Sequence, residues 1–134
     1  MARLESQSKL GYYPSPEGIP EMIASWFSAP DPYRLADPCC ADGWAVNQFK
    51  VALGQEAETW GVELSPYRAK QAANGLDVVL PTDFYTVRWD ARSTSFVYNN
   101  PPYDYSFRID TETNKRIRHE QLFSTYCTHY LTSG

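Results

Sequence analysis

The chain has 134 residues, 43% hydrophobic and 21% charged, which suits one domain with a buried core. Its formal charge of -4 argues against tight, autonomous duplex binding, because each neutralised phosphate needs a Lys or Arg. No stretch approaches the ~18 apolar residues of a membrane span, "MARLESQSKLGYY" lacks the apolar core of a signal peptide, and three cysteines make a poor disulfide framework, so a reducing cytoplasm is expected.

In chain order, "GYYPSPEGIP" reads as a loop by its Pro and Gly content. "PEMIASWFSA" places Met22, Ile23, Trp26 and Phe27 at helical spacing, and Pro20 suits the first turn. "RLAD" is a short strand bounded by Pro38, and "CCADG" is a tight loop. Ala45 to Leu53 reads as a helix that Gly54 can end. "AETWGVEL" is a second strand with Trp60 and Val62 on one face. Ser65 can cap the next helix, "PYRAKQAANG", with Pro66 at its first position and Gly75 at its end. "DVVLPTDF" and "STSFVYNNPPY" are the third and fourth strands, and "HEQLFSTYCTHYLTSG" is a closing helix. Between these last two, Arg108, Lys115, Arg116 and Arg118 form either a local basic patch or a solvated loop and helix start.

Strands alternating with helices predict an α/β, Rossmann-like parallel sheet with helices on both faces, here incomplete at about four strands. Ligands of such sheets sit outside the carboxyl ends of the strands. That rule gathers "DPCCADG", "ELSPY", "TDFY" and "NNPPYDY" along one edge.

These four stretches and "GYYPSP" together resemble the class I S-adenosylmethionine-dependent methyltransferases, in particular the branch that methylates adenine N6 in DNA. "GYYPSP" is similar to that family's N-terminal cofactor segment, with Ser15-Pro16 in place of Thr-Pro, so residues 1–19 are expected to serve the cofactor side of a single, partial domain spanning 1–134. "DPCCADG" resembles the Asp-Pro-x-Cys-Gly-x-Gly loop, with Ala41 standing at the first glycine. "GVELSP" resembles the second strand ending in an acid, and "NPPY", Asn100 to Tyr103, matches the catalytic signature. The resemblance covers residues 11 to 103 and departs in strand number, since about seven are usual.

The resemblance implies S-adenosylmethionine as the cofactor and Asp37, Pro38, Cys39 and Gly43 as its loop, with Asp37 orienting the methionine amino end. Gly43 would let backbone approach the ligand closely. Glu63, near the ~20-residue spacing of ribose-binding acids, would accept from the ribose hydroxyls, with Leu64 beside it. Asp83 would accept from the cofactor's adenine amino group, and the Phe84 ring would lie on that adenine's face. Each has a plainer alternative as a cap, a surface acid or a core ring. No metal site is assigned: Cys127 and His129 could join Cys39 and Cys40 around zinc, but no CxxC pair exists, and buried thiols are the expectation.

Asn100, Pro101, Pro102 and Tyr103 carry the chemistry in this reading, and the resemblance also sets Asn100 among the cofactor-binding residues. An exocyclic amine is a poor nucleophile because its lone pair is delocalised into the ring. Two acceptors aimed at its N–H bonds, the Asn100 side-chain carbonyl and the Pro101 backbone carbonyl, would favour a lone pair directed at the methyl donor. The prolines fix φ and hold the preceding residues extended, so the corner is pre-organised. Tyr103 offers a face on which a flipped base can stack. The acceptor implied is an amino nitrogen, adenine N6 in DNA. The alternatives are a protein glutamine amide or a non-catalytic cofactor-binding module. Finally, "SFVYNN" is expected as an open strand edge, inviting self-association or a partner that completes the sheet.

Overall fold

A computed structural model describes residues 14–29, 32–54 and 56–131. Gly11 to Tyr13 of the N-terminal segment and the last three residues of the expected closing helix lie outside the described residues.

The element order is α1 (Ile19–Ala24), β1 (Tyr33–Asp37), α2 (Trp44–Leu53), β2 (Ala57–Val62), α3 (Pro66–Ala72), β3 (Val78–Leu80), a 3₁₀ turn (Phe84–Thr86), β4 (Phe96–Val97), β5 (Tyr105–Ile109), β6 (Arg116–Arg118) and α4 (His119–Thr128). The local signals act as the residue types require. Pro20 lies in the first turn of α1. Gly54 ends α2 in the left-handed conformation, where a Cβ would be strained. Ser65 Oγ accepts from Arg68 N to cap α3, whose first residue is Pro66.

The first four strands form one parallel sheet in the order β3-β2-β1-β4. β1 lies inside it and is the most buried strand, as a sheet covered on both faces demands. Leu35 pairs with Thr59 and Phe96, while Ala36 pairs with Trp60 and Val97, so the two registers sort the side chains onto opposite faces. One face packs Leu35, Val46, Phe49, Leu76 and Tyr98 beneath α1 and α2. The other packs Val62 and Val97 against Phe84, Phe123 and Cys127. Full burial of a side chain such as Leu35 or Val46 contributes about 1.5–3 kcal/mol.

Three expectations change. β3 and β4 are shorter than "DVVLPTDF" and "STSFVYNNPPY" suggest, because each chain leaves the sheet once Pro81 or the Asn99-Asn100-Pro101 corner removes ladder geometry and donors. The segment read as a loop or basic patch is an antiparallel hairpin, β5–β6, with Tyr105 opposite Arg118, Ile109 opposite Arg116 and an irregularity between. Its turn is closed by Asp110, whose Oδ1 accepts from Glu112 N (2.8 Å) and Thr113 N (2.9 Å). Beyond α4 the chain returns to the far side of the β4 segment. There Thr94 and Leu131 form a parallel bridge, and Thr94 N donates to the Tyr130 carbonyl at 2.9 Å. Among the described residues no helix is long and apolar enough to cross a membrane.

Candidate active site

Because all four strands of the larger sheet run parallel, their carboxyl ends bring Asp83, Glu63, Asp37 and Asn100 to one edge in the order β3-β2-β1-β4. The two central acids are buried, Asp37 at 3% exposure and Glu63 at 6%. A buried carboxylate must be neutralised or given donors, and the chain supplies both remedies.

Asp37 Oδ1 accepts from Cys39 N at 2.8 Å. Burial nevertheless pushes the Asp37 carboxyl up to about 7; the Cys39 bond opposes this and the nearby Glu63 charge adds to it. Glu63 is surrounded by donors. Its Oε1 accepts from Ser65 N (2.7 Å) and from Arg68 Nε (3.1 Å) and Nη2 (2.8 Å), while Oε2 accepts from Ala41 N (3.1 Å). One side chain therefore ties the loop after β1 to the loop after β2. Arg68 is the partner that sequence reasoning missed; its only signal was a cation on the first turns of a helix that follows the acid.

The "DPCCADG" loop folds tightly. Pro38 is fully buried, and Cys40 N donates to the Val62 carbonyl at 2.9 Å. Cys40 packs on Gly61, where a Cβ would stand 2.6 Å from its Sγ, so only glycine fits that point of β2. Burial raises both the Cys39 and Cys40 thiols, which suits inert packing groups. Ala41 has a φ of +52°, a left-handed conformation that costs a residue with a Cβ about 1–2 kcal/mol. Gly43 has a φ of +83° and caps the start of α2; a Cβ there would also press on Ala72, the last residue of α3, at 3.3 Å and on Leu76 beyond it at 3.2 Å. Glycine at 43 thus suits both the backbone conformation and the packing against Ala72 and Leu76.

Leu64 is exposed beside Glu63. Asp83 is exposed and caps the 3₁₀ turn, its Oδ1 accepting from Tyr85 N at 3.0 Å. Phe84 is 6% exposed and stacked on Phe123 with centroids 4.6 Å apart. Its face belongs to the second core.

At the β4 corner, Pro101 is buried and Pro102 is half-buried. The Asn100 carbonyl oxygen accepts from the Tyr103 hydroxyl at 2.8 Å, and its amide nitrogen donates to Ser15 Oγ at 3.4 Å. Ser15 Oγ in turn lies 2.7 Å from the Tyr98 hydroxyl. A chain of polar contacts thus runs from Tyr98 through Ser15 to Asn100 and Tyr103, joining the N-terminal segment to the corner. Tyr98 was not among the expected site residues. A cavity of about 480 Å³ opens here, lined by Ser15, Pro16, Tyr98, Asn100 and Tyr103 with apolar walls from α1, α2 and β4. Asp37, Glu63 and Asp83 do not line it.

The profile of the uncharacterised methyltransferase family DUF6094 matches residues 1–134. The chain belongs to this methyltransferase family. No curated protein matches it. Among solved structures, the family member is similar to a Listeria monocytogenes protein described as a class I S-adenosylmethionine-dependent methyltransferase, with TM-score 0.70, 15% identity and coverage of 99% of this chain but 49% of that one. It is also similar to the methyltransferase subunit of a Streptococcus thermophilus type I restriction-modification system, with TM-score 0.64, 12% identity and coverage of 95% and 34%. A methyltransferase of Aquifex aeolicus matches at TM-score 0.56 and 12% identity, with 98% and 65% covered. At these identities the likeness establishes the Rossmann-like methyltransferase fold. The family member spans about half the length of the Listeria chain.

Proposed function

We propose that this chain transfers the methyl group of S-adenosylmethionine to an exocyclic amino nitrogen, with adenine N6 in DNA as the acceptor. The observation that carries the reading is the Asn100 carboxamide, held at the carboxyl end of β4 by Ser15 on one side and Tyr103 on the other. Membership of a methyltransferase family and the likeness to a restriction-modification methyltransferase subunit support the direction of this assignment.

The residues of the edge fit such a cofactor in chemical type. When bound, S-adenosylmethionine supplies an electrophilic methyl carbon on a sulfonium centre. Asp37, buried and pushed up to about 7, gains most from an adjacent ammonium, which favours its ionised form. Glu63 Oε1 already accepts from Ser65 and Arg68 and, among the described residues, Oε2 accepts only from Ala41 N, so Oε2 is the oxygen with a lone pair left for a ribose hydroxyl. Pro38, Cys39, Gly43 and Leu64 belong to the loops that carry these acids, Ser15 and Pro16 line the cavity at the Asn100 corner, and exposed Asp83 is the acceptor for an adenine amino group.

The Asn100 and Pro101 carbonyls accept the two N–H bonds of the target amine. A carbonyl has two lone pairs, so Asn100 can take one of these bonds while Tyr103 still donates to it. With S-adenosylmethionine bound, these two carbonyls would hold the target nitrogen with its lone pair directed at the methyl group the cofactor would supply. Fixing both carbonyls beforehand removes reorganisation from the barrier.

Incubation of the full chain with tritiated S-adenosylmethionine and separate DNA, RNA and protein pools tests the assignment. Label should enter adenine-containing DNA and not DNA already methylated at N6. Label confined to protein glutamine would move the reading to the amide alternative. Saturable cofactor binding with no transfer to any pool would leave a binding module.

A further inference from the structure

The β5–β6 hairpin begins at Tyr105, two residues beyond Tyr103, and its two sides differ in kind. On the inner side Ser106 is buried, its Oγ donating to the Ile117 carbonyl at 2.7 Å. The Arg108 guanidinium lies over the rings of Tyr85 and Tyr126 and donates to the Tyr126 hydroxyl, which seats the hairpin on α4. Arg108, read from the sequence as part of a basic patch, is therefore a clamp.

The outer side carries Phe107, 93% exposed, with Tyr105 and Ile109 more than half exposed. A solvent-facing strand ordinarily turns polar residues outward. Here the rings are interleaved with cations: Arg116 lies over Phe107 at 6.0 Å and Arg118 over Tyr105 at 5.1 Å. The acids nearby are largely turned away. Asp104 and Asp110 accept from backbone N–H groups of their own turns, and Glu120 pairs with Arg118. Among the described residues no carboxylate pairs with Arg116 or Lys115.

We infer that this outer face binds an unpaired nucleic-acid segment next to the target base, stacking bases on Phe107 and Tyr105 while Arg116 and Lys115 face its phosphates. This rests on the nucleic-acid acceptor proposed above. Every base has a π-face, so ring platforms with flanking cations suit a strand of any sequence. Tyr105 and Phe107 are two residues apart, about 6.6 Å along a strand. That is twice the roughly 3.4 Å between stacked bases of one DNA strand, so both rings can be served only by a strand drawn out of its helix. A target base that must leave its stack to be methylated demands the same disruption. Two such cations are too few to grip a duplex by phosphates alone, in keeping with the chain's charge of -4.

The test is fluorescence anisotropy of the full chain, with cofactor present, on a labelled adenine-containing single strand and on its duplex. The single strand should bind tighter than the duplex. Phe107→Ala should weaken it about tenfold, Phe107→Trp should restore it, and Arg116→Ala should flatten its salt dependence. Cofactor affinity and the thermal melt should not move, since Phe107 is almost wholly exposed. Strand binding through Phe107 without any methylation of DNA would uphold this surface and sink the acceptor assignment. Methylation of DNA with affinity and KM unchanged in both alanine variants would overturn the surface and leave that assignment standing. A chain that binds no strand, but sediments as a dimer that Phe107→Ala dissociates, would make the face a protein interface and overturn the inference.

Discussion

Asp37 and Glu63 are at most 6% exposed, and each meets hydrogen-bond donors from the loops around it. A few strands away, Tyr103, Tyr105, Phe107 and Ile109 all stand more than half exposed, with arginines lying over two of the rings. Both regions border the same sheet edge, yet the first is closed by its own contacts and the second is open. The difference follows from what each can hold. Carboxylates taken out of water need donors before any small ligand arrives, so their geometry is rigid and specific. A surface for a long, variable polymer gains from rings and cations that accept many sequences.

The largest effect expected from breaking the closed side comes from Glu63. Its pair with Arg68 is buried, with side chains 7% and 13% exposed, and loss of one partner from such a pair costs about 3–5 kcal/mol. Glu63→Ala should therefore lower the urea midpoint sharply and weaken cofactor binding in calorimetry. A variant as stable as the parent would show that the two loops are not joined through this carboxylate.

At the corner, Asn100→Ala should reduce methyl transfer on the order of 10²–10³-fold, comparable to removing one pre-organised hydrogen-bonding group from an active site. Cofactor affinity should stay, because Asn100 acts on the acceptor amine in this assignment. Unchanged turnover would falsify the role given to its carbonyl.

Asp37 separates the two regions by pH. An unfolded aspartate titrates near 3.8, and the folded group is pushed up to about 7. Between those values the folded protein retains a proton that the unfolded chain has lost. The residue's contribution to stability therefore declines as pH rises through this window and levels off above it. Binding of the cofactor's ammonium favours the ionised carboxylate, so cofactor affinity should rise with pH up to about 7, by about tenfold per unit well below that point. Asp37→Asn should flatten the curve. Calorimetry between about pH 5.5 and 7.5 checks it, and a wild-type affinity independent of pH would rule out this partner for the ammonium. Strand binding at the hairpin should lack this dependence.

The smallest effect expected is at Ala41, whose φ of +52° strains a residue with a Cβ. Ala41→Gly should raise stability by up to about 1 kcal/mol, with the greater freedom of unfolded glycine offsetting part of the relief. A melting temperature that falls would mean that the loop tolerates the alanine without strain.

Much of the scaffold was legible in the chain itself, because its signals are local. Apolar spacing in "EMIASWF", Ser65-Pro66 before a helix, Gly54 after one and Pro38 after a strand each act over a few residues. The alternation of strand and helix then leaves few topologies other than a parallel sheet. The order of Asp83, Glu63, Asp37 and Asn100 along one edge follows from that topology. What only the tertiary structure decided is where each side chain spends its bonds and its surface. Ser15 meets Tyr98 across 83 residues, Arg68 turns back onto Glu63, and Phe84 enters a core completed by Phe123 of the last helix. The hairpin was missed because "YSFRI" and "RIR" are short, carry no Asn-Gly or Asp-Gly turn and pair with an irregular register. Such contacts depend on the positions of elements far apart in the chain, and no pattern confined to neighbouring residues carries that information.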